Sequence, residues 1–79
     1  MRYFFNIRDA AGMIPDEEGS DLSGIMAARL EAADSARDFA IDDLRCGNPV
    51  QARSIEITDE DGAILETVLV RDIAGTRLN

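Results

Sequence analysis

Apolar residues recur along the chain with two different periods. Near the start, Tyr3, Phe5 and Ile7 alternate with Phe4, Asn6 and Arg8. A period of two with aromatic content predicts a strand. Ala10-Ala11-Gly12 predicts a turn, and Met13-Ile14 a short return strand. Pro15 cannot donate to a ladder, so that strand ends there and belongs at a sheet edge. From Ile25 to Cys46 the spacing becomes helical, with Gly47 as the stop and Pro49 just beyond. At ~100° per residue, Ile25, Ala28, Ala32, Ala36 and Phe39 share one stripe. Met26, Leu30, Ala33, Ile41 and Leu44 form an adjoining stripe, and Glu31, Asp34, Asp38 and Asp42 lie opposite. Alternation returns at Ser54, with Ile55 and Ile57 set between Ser54, Glu56 and Thr58. Asp59-Glu60-Asp61-Gly62 turns the chain, Asp61-Gly62 being a strong hairpin signal. Ile64 to Arg71 reads as the returning strand.

The order is ββαββ. It predicts an α+β two-layer sandwich, one helix packed on a mainly antiparallel four-stranded sheet. The 79 residues make a single domain, with residues 2–72 as its ordered core and 73–79 as a frayed tail. The alanine stripe lets the helix sit close to the sheet. The second stripe widens the apolar arc beyond the ~100° that a simple surface helix needs. A helix longer than the strands, with apolar surface left over, predicts a homodimer.

Two acidic stretches invite a chemical reading: DEEGSDL, residues 16–22, and TDEDGA, residues 58–63. Gly19 can take a positive φ at little cost. Asp21 or Ser23 can cap the coming helix, and Gly24 is tolerated there. Negative charge before a helix N-terminus is favourable. The first stretch therefore reads as strand closure, turn and helix entry. The second holds a D-x-D-G fragment, but Ala63-Ile64-Leu65 follows where a calcium loop needs further oxygen ligands and a final glutamate.

Charge narrows the partners. The net charge is −8, and all eight cations are arginines. Nucleic acid and anionic membrane surfaces are poor partners for such a chain; a basic protein is a good one. One cysteine, Cys46, excludes an internal disulfide and suggests a reducing, cytoplasmic setting. MRYFFNIRD lacks the apolar core of a signal peptide, and no run approaches the ~20 apolar residues of a membrane span. No histidine is present, which removes the commonest general base and transition-metal ligand. Zinc sites, thiol–imidazole pairs and phosphate-cradling glycine patterns are absent from the sequence, and no catalytic residue, metal or cofactor is implied.

What remains is the helix. Asp34, Asp38 and Asp42 recur every four residues, with Glu31 beside them. Like charges at this spacing cost a few tenths of a kcal/mol each. Arg37 and Arg45, three residues after Asp34 and Asp42, offset part of it. The expectation is a non-enzymatic interaction module. Glu31, Asp34, Asp38 and Asp42 would face a basic protein partner, and Met26, Leu30, Ile41 and Leu44 would form a dimer or complex. The alternative is a metal-dependent hydrolase using Asp16, Glu17, Asp59 and Asp61, which requires the two acidic turns to meet.

The combination of Arg2-Tyr3-Phe4-Phe5 with Arg8-Asp9, Asp16-Glu17-Glu18-Gly19, Leu22, Ala27-Ala28, Glu31-Ala32 and Ile55 to Gly62 resembles a family of small bacterial proteins of unknown function, common in alphaproteobacteria. That resemblance spans Arg2 to about Asp72 and implies no reaction. A second likeness, at the level of fold, is to HicB-type antitoxin domains. There too a hairpin leads through an acidic glycine turn, as at Glu17-Glu18-Gly19, into an alanine-rich helix. It implies neutralisation of a small basic toxin. The separate DNA-binding segment that many such antitoxins carry has no counterpart after Asp72.

Overall fold

A computed structural model describes residues 1–77, and side chains through residue 73. The expected order is present, with two additions. Strands β1 (Arg2–Asp9) and β2 (Gly12–Ile14) form the first hairpin. A two-residue strand β3 (Ser20–Asp21) precedes helix α1 (Ile25–Arg45). Strands β4 (Ser54–Thr58) and β5 (Ile64–Leu69) form the second hairpin, and a short helix α2 (Val70–Arg77) follows. The antiparallel sheet runs β2-β1-β4-β5, with β3 also paired to β1.

The strand read as Ile64 to Arg71 thus stops at Leu69, and α2 takes up part of what was read as tail. Val70 is fully buried beneath the helices, and its N–H donates to the Arg53 carbonyl. Val70 keeps the inward alternation of Glu66 and Val68, and beyond its bond to Arg53 the chain winds into α2 instead of extending the ladder. Leu78 and Asn79 lie outside the described residues.

The core lies between the sheet and α1. Ala28, Ala32, Ala36 and Ala40 are all buried, against Tyr3, Ile55, Ile57 and Val70. Small side chains at i, i+4 spacing put the helix backbone close to β4, so two isoleucines fill the contact. Of the three candidates for helix entry, Gly24 is the one found, and neither Asp21 nor Ser23 caps α1. Gly24 occupies the N-cap, with no side-chain cap bond. Asp21 instead belongs to β3, opposite Arg2, and accepts a hydrogen bond from the Met1 amino group at 3.0 Å. The exit is as read: Cys46 caps α1 and Gly47 follows with φ 77°.

Candidate functional site

The acids fall into two populations, distinguished by what their oxygens touch. Asp16 follows β2 along the outer side of β1, in the gap before β3. Its carboxylate accepts the N–H of Phe5 at 3.1 Å and that of Gly19 at 3.1 Å. Its own N–H donates to the Asn6 side chain at 2.9 Å. Asp16 therefore closes a sheet edge where neither β2 nor β3 reaches. Gly19 completes the device, with φ +72° and the Phe4 ring, the Tyr3 carbonyl and Arg2 so close that a Cβ would meet them at 2.8, 2.9 and 3.0 Å. Asp59 organises the other turn by accepting the N–H groups of Asp61 and Ala63, and Asp9 does the same for Ala11 and Gly12.

Asp43 is the acid that sequence reading passed over. It is buried, and it continues the stripe of Ala28, Ala32, Ala36 and Ala40. An aspartate on an alanine stripe was the available signal. Its carboxylate accepts the Gln51 N–H and an Arg53 nitrogen, both at 2.9 Å, and so pins the segment between α1 and β4. The Gln51 hydrogen bond, helped by Arg53, holds the Asp43 carboxyl below the usual aspartate range despite the opposing effect of burial. Arg53 also lies over the Phe39 ring, 5.2 Å from its centroid.

The acids of the outer α1 face are placed differently. Glu31, Asp34, Asp38 and Asp42 are all exposed. Asp34 pairs with Arg37 at 2.8 Å. Glu31, Asp38 and Asp42 make no ion pair among the described residues, and the Asp42–Arg45 pair suggested by spacing does not form. The apolar stripe beside them is also exposed: Met26 65%, Leu30 69%, Leu44 55% and Ile41 39%.

On the other flank of the ridge lies a feature that no linear pattern reveals. Helix α1 packs over β4 and β5, with α2 at its side. That offset leaves Phe5 and Ile7, on the helix side of β1, only partly covered, whereas Tyr3 is buried. A groove of about 300 Å³ opens there, floored by Phe5, Ile7, Phe39 and Ile55 and rimmed by Ser35, Asp38 and Asp42. Ile14, directly opposite Ile7 on β2, is 62% exposed beside the groove. The structure thus brings Asp38 and Asp42 to an apolar groove. It leaves Glu31 and Asp34 out of the groove lining, and puts Met26, Leu30, Ile41 and Leu44 along the far side of the ridge.

The acids of the hydrolase alternative are also placed. Asp16 and Asp59, with Glu60, line one shallow depression beside Phe4 and Asn6; Glu17 and Asp61 do not line it. Among the described residues, no three of the Asp, Glu and Cys side chains are grouped so as to hold a metal ion. Cys46 is exposed and unpaired by any disulfide.

A small α+β domain with an open antiparallel sheet and one main helix is the class these observations define. Within that class the chain belongs to the DUF6894 family, a domain of unknown function, which matches residues 2–71. No curated protein and no solved structure gives a significant match. No helix among the described residues is long and apolar enough to cross a membrane.

Proposed function

We propose that the domain is a binding module that docks a basic, partly apolar protein segment along the β1 side of α1. One observation carries this reading: Asp38 and Asp42, exposed and without ion-pair partners among the described residues, rim a groove floored by Phe5, Ile7, Phe39 and Ile55. A merely solvated face has no need of an apolar floor. Among the described residues the helix layer holds α2 on one side of α1 and no element on the other, so a segment lying beside α1 would cover Phe5 and Ile7. Lys or Arg on that segment would meet the ridge, and the net charge of −8 would speed the encounter.

The test is affinity capture of the tagged domain from its native cells, beside an Asp38→Asn/Asp42→Asn variant. The reading expects a stoichiometric basic protein, released by salt and lost from the variant. A partner retained equally by the variant would contradict it.

A further inference from the structure

The face of the sheet opposite α1 carries a basic cavity. Ile55 and Ile57 point into the core, so alternation turns Ser54 to the other face. Arg8 on β1 and Leu69 on β5 both lie directly across from Ser54, and the three make one row over three strands. With Arg71 and Ala52 they line a cavity of about 280 Å³, to which Asp9 and Arg53 also contribute. Three of the eight arginines of a chain with net charge −8 thus meet at one place. Their commitments differ. Arg53 turns its guanidinium toward α1, where it bonds Asp43 and lies over the Phe39 ring. Arg8 gives Nε and Nη2 to Glu56, with the Met13 sulfur 3.7 Å from Nη2, and keeps Nη1 unengaged. Arg71 is exposed and has no hydrogen-bond or ion-pair partner among the described residues. The Ser54 hydroxyl has none either.

We infer that this cavity binds a small monocarboxylate with an apolar body. Charge decides the class. Glu56 answers Arg8, Asp43 answers Arg53, and Asp9 commits its carboxylate to the N–H groups of Ala11 and Gly12. Arg71 is left as the uncompensated cation. One such guanidinium suits a monoanion better than a phosphate dianion, and its planar fork matches a carboxylate. Arg8 Nη1 and the Ser54 hydroxyl are further donors without an acceptor. Leu69, 47% exposed, and Ala52 supply wall for the apolar body. The volume lies at the small end of ligand clefts, so a body of a few carbons fills it. The groove beside α1 opens on the other face of the sheet, and this site does not depend on what fills it.

The test is an NMR titration of the full labelled chain with hexanoate, hexanamide, acetate and inorganic phosphate at constant ionic strength. Hexanoate should shift Arg8, Ser54, Leu69 and Arg71. Acetate, which lacks the apolar body, should bind more weakly, and hexanamide, which lacks the charge, should leave these residues unmoved. Arg71→Gln should melt as the wild type does, since no partner is lost, yet bind hexanoate about ten-fold more weakly or worse. No response to hexanoate would overturn the inference. So would equal shifts from hexanamide, equal or tighter binding of acetate or phosphate, or undiminished binding by Arg71→Gln. Asp38→Asn/Asp42→Asn should bind hexanoate as the wild type does, which separates this result from that of the docking surface.

Discussion

The edge segment Asp16–Gly19 and the outer face of α1 are both acidic, yet they answer to different physics. In the first, a carboxylate accepts N–H groups that the sheet leaves unmatched, and a glycine fits where no Cβ can. In the second, carboxylates at i, i+4 spacing repel one another and, apart from Asp34, meet no arginine among the described residues. An acid whose oxygens are committed to the backbone explains itself through folding. One that is mildly unfavourable to folding and borders an apolar groove asks for another explanation. The difference can be sharpened by substitution on either side.

The largest effect is expected at Gly19. Gly19→Ala puts a Cβ against a backbone carbonyl and the Phe4 ring at a positive φ. The loss should approach the ~4 kcal/mol that marks exceptional substitutions, enough to unfold much of a domain this small. Circular dichroism at room temperature would show it; a native spectrum with an unchanged melting temperature would mean the edge yields more readily than its contacts imply. Asp16→Ala comes next. It strands the part-buried Phe5 and Gly19 N–H groups, and the loss should be about 1–3 kcal/mol in all, since a fully buried unmatched donor alone costs about that much. Denaturant unfolding would read this directly.

Asp43 supplies a test by pH. Its carboxyl is held below the ordinary value, so its contribution is fully present above the unfolded aspartate pKa of ~3.9 and is lost as pH falls through the lower folded value. Asp43→Asn should therefore melt below the wild type at neutral pH, and the gap should close below about pH 4. A gap independent of pH would assign Asp43 a packing role alone. The smallest effect belongs to the ridge. Asp38→Asn/Asp42→Asn should stabilise the domain by a few tenths of a kcal/mol, by relieving like charges. A clear loss of stability would move these two acids into the folding group.

How far the sequence revealed this depended on the range of the interactions. The hairpins, the extent of α1, the alanine stripe and both acidic turns followed from periodicity and turn chemistry, which are local. Strand β3 and the role of Asp16 did not, because the N–H of Phe5 lies eleven positions away and needs the sheet to bring it near. Asp43 broke an apolar stripe visibly, but its partners Gln51 and Arg53 come from a loop without pattern. Strand β5 was read too long because Val68, Leu69 and Val70 keep the apolar and alternating pattern of a strand into the first residue of α2. The ridge was legible as a row of acids. Its groove was not, since it arises from the offset of α1 toward β5, a property of packing.

The central claim is that the ridge and groove form one binding surface. The most direct measurement is an NMR titration of the labelled domain with a synthetic amphipathic peptide of Leu and Arg, at low and raised salt. The account predicts shifts confined to Phe5, Ile7, Ile14, Ile55 and the Ser35–Asp42 stretch, weakened by salt and abolished in Asp38→Asn/Asp42→Asn. Shifts scattered over the acidic surface, or undiminished in that variant, would contradict it.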